Sequence, residues 1–183
     1  MLSITGFPVL PLYSGTIIKI NSNNKYNNAW AKLEKDEISI EEFSILFKEE
    51  AKQFGISNIN TDKLLKCLNV KLNNRMVELL KNISKFYTCV CLTNNFKNMN
   101  SCNFEKIKHN FSLIIESSKI GFRKPEKQIY EHVLEVLKVN AEEILFIDDL
   151  GINLKPAREL GFHTYKFTNT DKTIYYIKHM IKM

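Results

Sequence analysis

The sequence predicts an α/β fold: a parallel sheet with helices on both faces, joined to a small α-helical cap. Short apolar runs alternate with helical patterns through the second half of the chain, as in proteins built from strand–helix–strand units. The run Ile144–Ile147 is apolar throughout and ends abruptly in Asp148 and Asp149, which is typical of a strand buried on both faces. Residues 27–72 instead show helical spacing of apolar residues.

The N-terminal part divides into an irregular segment and the cap. Residues 1–26 contain prolines and glycines and no clear helix or long strand. The cap is assigned to residues 27–72, where Ser39 and Glu42 form the pattern of a capping box and Gly55 ends the following helix. Two further helices are predicted at about Thr61–Cys67 and Asn74–Ser84, with Thr61 and Asn73 or Asn74 as N-caps. The first belongs to the cap, and the second begins the α/β core at residues 73–183.

The rest of the core alternates between strands and helices. Strands are predicted at Tyr87–Leu92, Phe111–Ile115, Ile144–Ile147 and His163–Phe167, and helices at Glu126–Leu137, Leu154–Leu160 and from Asp171. Ligands of such sheets gather beyond the carboxyl ends of the strands. The paired carboxylates Asp148 and Asp149 at one of these ends suggest a hard cation such as Mg²⁺.

Composition excludes several classes of protein. The 183 residues carry a formal charge of +6, but the lysines are scattered and no basic cluster is interleaved with aromatics, so nucleic-acid binding is not expected. No apolar run approaches the roughly 20 residues that span a bilayer, and Met1–Leu12 lacks the basic start of a secretory signal. Cys67, Cys89, Cys91 and Cys102 form no Cys-x-x-Cys pair, which favours reduced thiols in a cytoplasmic protein.

Three segments, in this order, resemble motifs of the haloacid dehalogenase (HAD) superfamily: Val90–Asn95, Gly121–Tyr130 and Asp148-Asp149. With Ile115–Ser118 and Asn153–Arg158, they are similar to the phosphatase-type domain that begins soluble epoxide hydrolases, and equally to a domain of multidomain acyl-CoA dehydrogenases. The resemblance covers roughly residues 16–168 and implies a Rossmann-like core. It also implies a Mg²⁺-dependent hydrolase of phosphate monoesters, which in intact relatives acts on a small phosphorylated substrate. In some relatives, the domain would be fused to a partner domain.

The resemblance also implies site residues. Lys124 would be catalytic, pairing with the nucleophilic aspartate and the substrate phosphate, and Thr93 and Asn94 would bind that phosphate with it. Thr93 could instead only end its strand. Asp148 and Asp149 would hold Mg²⁺, although Asp149 could cap the following turn. Asn153 would support the site or serve as a helix N-cap, and Ser117 is expected to satisfy backbone groups.

One family feature is absent from the sequence. HAD phosphatases begin with a central strand ending in Asp-x-Asp, whose first Asp is the nucleophile, whereas the earliest Asp here is Asp36. The first central strand is therefore expected to be missing or replaced, and the chain to be inactive or truncated. Alternatively, Ser3–Leu10 or Gly15–Ile20 substitutes for the strand in a non-catalytic module that binds metal, phosphate or another protein. A third possibility is that Asp36 reaches the site.

Overall fold

The computed structural model describes residues 26–66, 72–97 and 102–182. Its first part is helical, with α1 at Ala29–Glu34, α2 at Ile40–Lys52 and α3 at Thr61–Lys66. The predicted capping box of α2 is confirmed: Ser39 Oγ accepts from Glu42 N, and Glu42 Oε2 accepts from Ser39 N. The prediction of Thr61 as N-cap is wrong, because Asn60 Oδ1 accepts the hydrogen bond from Lys63 N and Thr61 is already helical.

These three helices enclose a hydrophobic cluster of their own. The ring of Trp30 packs edge-to-face on that of Phe43, with centroids 5.4 Å apart, and the rings of Phe43 and Phe47 stack with centroids 5.1 Å apart. Phe96, from the loop after the first strand, completes the cluster. We refer to these three helices as the cap, although the assignment of residues 27–72 as a cap domain, with its boundaries, stays a prediction.

The remaining elements alternate between helices and short strands. The strands are β1 at Val90–Thr93, β2 at Leu113–Glu116, β3 at Leu145–Asp148 and β4 at His163–Lys166. The helices are α4 at Asn74–Ile83, α5 at Cys102–Glu105, α6 at Ser117–Ile120, α7 at Lys127–Leu137, α8 at Gly151–Glu159 and α9 at Thr170–Met180. Single 3₁₀ turns lie at Lys108–Asn110 and Ala141–Glu143. Of the two predicted caps for α4, Asn73 is the one observed.

All strand pairs among the described residues are parallel. β1 pairs with β2, with Val90 opposite Leu113, and β3 pairs with β4, with Leu145 opposite His163. The expectation of a missing or replaced central strand, and its two candidate substitutes, concern residues outside the described part of the chain.

Two hydrophobic clusters cover opposite faces of these strands. Helices α4 and α9 pack with Cys89, Cys91 and Ile147, whereas α7 and α8 pack with Val90, Leu92 and Phe146. Alternate residues of β1 and β3 thus point to opposite faces, as a pleated strand requires. The predicted α/β architecture with helices on both faces is confirmed.

Two further expectations concern the described residues. Cys89 and Cys91 are buried and form no disulfide, as predicted, whereas Cys67 lies outside the described part. Within the described ranges, none of the helices combines the length and apolar character that crossing a bilayer would require.

Candidate functional site

A buried ion pair lies where β1 and β3 end. Lys124 Nζ is 2.9 Å from Asp148 Oδ2, and the side chains of both residues are fully buried. The same ammonium group donates to the carbonyl of Leu92, also at 2.9 Å, and lies 5.8 Å from the centre of the Phe146 ring. Lys124 therefore places its charge between the carboxyl ends of two strands, where ligands of α/β proteins bind.

The other oxygen of Asp148 is held by the segment that follows β3. Asp148 Oδ1 accepts from Leu150 N at 2.8 Å and from Asn153 Nδ2 at 3.0 Å. Asn153 is buried within α8 and is not its N-cap, which lies at Leu150. Asp148 thus accepts hydrogen bonds from the turn and the helix that follow β3, while the supporting role of Asn153 stays a prediction.

The acidic pair has the ligand chemistry of Mg²⁺. This ion prefers oxygen ligands and is commonly held by one or two carboxylates together with waters and substrate phosphate. Asp148 is buried and Asp149 is half-buried beside it. No cluster of three or more acidic, histidine or cysteine side chains suited to a metal occurs in the part of the chain that the structure describes. Two adjacent carboxylates fit the smaller ligand set of Mg²⁺.

The two predicted phosphate-binding residues that follow Leu92 have different surroundings. Thr93 ends β1 and is partly exposed, and its hydroxyl lies at the long distance of 3.4 Å from the Asn94 carbonyl. Asn94 is buried, and its Oδ1 accepts from Lys124 N at 2.8 Å while its Nδ2 donates to Lys124 O at 2.9 Å. The Asn94 amide therefore holds the backbone of Lys124 on both sides. The roles of Thr93 and Asn94 toward phosphate stay predictions.

The Ile115–Ser118 motif ties the end of β2 to the end of β1. Ser117 Oγ accepts from Asn95 N at 2.9 Å and donates to Asn95 O at 3.1 Å. Asn95 Nδ2 donates to Glu116 Oε1 at 2.7 Å, and its Oδ1 accepts from Ser118 Oγ at 3.0 Å. The expectation that Ser117 satisfies backbone groups is confirmed.

Sequence reasoning missed a second buried ion pair beside Lys124. Arg123 Nε lies 2.6 Å from Glu34 Oε2, and both side chains are less than a tenth exposed. Glu34 ends the cap helix α1 and is 89 residues away in the chain. No local pattern indicates a contact at such a separation, and a Glu in a charged stretch of helix is typical of a solvated surface.

Sequence reasoning also gave no role to Tyr130, because its spacing in α7 is that of an ordinary core residue. Its hydroxyl donates to the Asn153 carbonyl at 2.6 Å, and its ring packs edge-to-face on Phe146. Burial, and secondarily the negative charge of Asp148, raises the pKa of this phenol well above its ordinary value. Tyr130 is therefore a neutral hydrogen-bond donor that fixes the first turn of α8.

Several known proteins are similar in sequence to part of this chain. The chain is 34% identical over 112 residues to bifunctional epoxide hydrolase 2 of Sus scrofa, a match covering 57% of this chain and 20% of that protein. It is 28% identical over 167 residues to acyl-CoA dehydrogenase family member 10 of Mus musculus, covering 88% of this chain and 16% of that protein. The chain thus corresponds to about a fifth or less of the length of these relatives, and to a region related to phosphatase-type domains.

Solved structures share the fold. A predicted HAD-like hydrolase from Porphyromonas gingivalis aligns with a TM-score of 0.70 at 18% identity, over 100% of this chain and 96% of that one. A HAD family enzyme from Bacteroides thetaiotaomicron, in complex with magnesium and inorganic phosphate, aligns with a TM-score of 0.66 at 21% identity, over 91% of this chain and 92% of that one. The profile of the haloacid dehalogenase-like hydrolases matches residues 14–161. With its buried lysine–aspartate pair at the ends of parallel strands, the chain belongs to the haloacid dehalogenase-like hydrolases.

Proposed function

We propose that this chain is a phosphatase-type domain that binds a small phosphate monoester together with Mg²⁺ but does not turn it over through an aspartyl-phosphate. The observation that carries the proposal is the buried Lys124 ammonium, held between Leu92 O and Asp148 Oδ2. A lysine is seldom fully buried, and a compact ammonium group at the ligand-binding end of a sheet suits a phosphate oxygen.

The surrounding residues supply the other requirements of phosphate binding. Thr93 ends β1 next to Leu92, whose carbonyl accepts a hydrogen bond from Lys124, and Thr93 is partly exposed. Its hydroxyl would bind a ligand oxygen beside the ammonium group. Asp148 and Asp149 would hold Mg²⁺, which when bound offsets negative charge on phosphate oxygens. Asn153 and the Leu150 amide fix Asp148 so that its orientation does not depend on the ligand.

The sequence gives the reason why turnover is not part of the proposal. There is no Asp before Asp36, and covalent phosphoryl transfer needs a positioned nucleophile. Asp36 itself is more than a third exposed, and its carboxylate lies 3.5 Å from Lys97 Nζ on the surface. We therefore assign to this chain ligand binding without the covalent step.

The test combines binding and turnover on the purified chain. Isothermal titration with inorganic phosphate should show saturable binding that is tighter with MgCl₂ present, while p-nitrophenyl phosphate should not be hydrolysed above the buffer rate. Thr93→Val should weaken phosphate binding about 10-fold, the scale of one lost hydrogen bond to a charged group. Thr88→Val is the matched control, because Thr88 is exposed just before the opposite end of the same strand.

Two results would contradict the proposal. Folded protein that binds no phosphate, with or without Mg²⁺, would remove the binding role. Hydrolysis of the aryl phosphate that disappears in Asp36→Asn would show that the cap supplies a nucleophile, and the chain would then be an enzyme.

A further inference from the structure

The carboxylate of Glu34 connects the cap to the loop that carries Lys124. Glu34 is 4% exposed, and its two oxygens accept hydrogen bonds from three different segments. Trp30 Nε1 donates to Oε1 at 2.9 Å from within α1, whereas Arg123 Nε and Asn94 Nδ2 donate to Oε2 at 2.6 and 3.1 Å. One buried side chain of the cap thus contacts both the end of β1 and the loop before α7.

Both core partners of Glu34 act directly on Lys124. Arg123 is its neighbour in the chain, and the Asn94 amide holds its N–H and its carbonyl at 2.8 and 2.9 Å. An amide side chain has two orientations that exchange the positions of its oxygen and its nitrogen, and the surrounding donors and acceptors decide between them. The Glu34 carboxylate can only accept, so it fixes the Asn94 amide with Nδ2 directed toward Glu34 and Lys124 O, which leaves Oδ1 for Lys124 N.

The ion pair is built differently from the surface pairs near it. Glu34 and Arg123 have side chains 6% and 8% exposed, whereas Glu37, three residues after Glu34, is 45% exposed and pairs with Lys35. Removing one partner of a buried pair leaves the other charge uncompensated, while exposed pairs contribute little. The position of the Lys124 loop therefore depends on the cap helix staying in place.

We propose that Glu34 is a positioning residue, whose buried carboxylate couples the placement of the cap to the placement of Lys124 through Arg123 and Asn94. The inference rests on the proposed function insofar as Lys124 binds phosphate. Its structural half, that Glu34 orders the loop at Lys124, holds independently of any ligand.

The experiment measures both halves in the full chain. Amide hydrogen exchange, resolved by NMR, follows the Lys124 N–H without ligand, and titration with inorganic phosphate in MgCl₂ gives the affinity. In Glu34→Gln, exchange at Lys124 should accelerate at least 10-fold relative to amides of β4, and phosphate affinity should fall about 10-fold. Glu37→Gln is the matched control at the same end of the cap helix and should change neither quantity.

A second control separates local ordering from general loss of stability. Ile177→Val in α9 removes one methylene from the hydrophobic cluster that α4 and α9 form against β1. It should lower the melting temperature without changing any contact of Glu34. If Glu34→Gln does not fold, Arg123→Lys replaces it, since that variant keeps the charge and loses the Nε donor to Glu34. It should accelerate Lys124 exchange more than Ile177→Val at an equal loss in melting temperature.

The outcomes distinguish the two proposals. Exchange at Lys124 that is no faster in Glu34→Gln or Arg123→Lys than in Ile177→Val would overturn the positioning role, whatever the affinity for phosphate. Faster exchange in a protein that binds no phosphate would leave Glu34 as the residue that orders this loop and would refute only the proposed function.

Discussion

At the scale of single residues, the site contains two ion pairs that are more deeply buried than the surface pairs of the described chain. Lys124–Asp148 and Arg123–Glu34 are both almost inaccessible to water, whereas pairs such as Lys127–Glu131 are about half-exposed. Surface pairs contribute little to stability, but a buried charge without its partner is costly. Mutations at the buried pairs should therefore report on the site far more strongly than mutations of the surface charges.

Lys124→Met should lower the free energy of unfolding by about 3–5 kcal/mol, because Asp148 would be left as an uncompensated buried charge. Urea unfolding at neutral pH measures the loss. The double variant Lys124→Met with Asp148→Asn should lose less than the sum of the two single variants, since neither charge then remains. Strictly additive losses would show that the two side chains do not stabilise each other.

Tyr130 should make stability depend on pH in the alkaline range. Its pKa is raised in the folded state by burial and by Asp148, whereas in the unfolded chain it ionises near pH 10. The neutral phenol therefore stabilises the fold fully below about pH 10, and this contribution is lost as pH rises above that value. Tyr130→Phe lacks this group, so its stability deficit of about 1 kcal/mol at pH 7 should shrink when urea unfolding is repeated at higher pH. A constant deficit between about pH 8 and pH 11 would contradict the assignment.

At the scale of secondary-structure elements, local signals located most helices and strands to within a few residues. The capping box at Ser39 and Glu42 is visible in the sequence because both partners lie within one turn. Each strand has four residues, so β1, β2 and β4 are shorter than predicted, because their apolar runs extend past the paired backbone into the adjoining loops. The strand β3 has the predicted length and begins one residue later than predicted.

Ser39→Ala should lower the free energy of unfolding by about 1 kcal/mol, because the first turn of α2 loses the acceptor of its Glu42 N–H. The pKa of Glu42 is lowered chiefly by the hydrogen bond that Ser39 N donates to its carboxylate and secondarily by the Ser39 side chain. Because Ser39→Ala removes only the side chain, the pKa of Glu42 should rise part of the way back toward its ordinary value. Thermal unfolding and NMR titration of the Glu42 carboxyl measure the two effects. Ser57→Ala, at an exposed loop position, is the control; an equal loss there would mean that the capping box adds nothing.

The candidate site was predictable only where its parts lie next to each other in sequence or follow a family motif. Lys124, Asp148 and Asn153 come together as expected for neighbouring carboxyl ends of strands. Glu34 and Arg123 could not be paired, because their contact depends on how the cap sits against the core. That placement is a tertiary property which helical periodicity in residues 27–72 does not encode.

At the scale of the whole molecule, the described residues form three hydrophobic clusters. One lies inside the cap, and the other two cover opposite faces of the strands. The cap cluster includes Phe96, which follows β1 in the core. The hydrogen bonds of Glu34 with Asn94 and Arg123 form a second link between cap and core. Because the cap helices themselves supply most of the cap cluster, which is separate from the two core clusters, the cap should be able to lose its packing before the strands do.

Phe47→Ala should test this order of opening. Phe47 is 1% exposed and stacks on Phe43, and truncation of a buried Phe costs about 3–5 kcal/mol. Hydrogen exchange should accelerate in α2 and α3 more than in β3 and α8. Uniform acceleration across all these elements would show that cap and core open as one cooperative unit.

Cys89, just before β1, and Cys91, within β1, both belong to the hydrophobic cluster that α4 and α9 cover, at 4% and 1% exposure. Alkylation requires a thiolate that reagent can reach, and burial raises the pKa of the Cys89 thiol as well as shielding it. In the native protein, the two sulfurs should react with iodoacetamide only during the intervals in which α4 or α9 detaches from the strand. The mass that these two native cysteines gain from the reagent over time therefore reports how often this face of the strands opens, and no cysteine has to be engineered into the chain for the measurement.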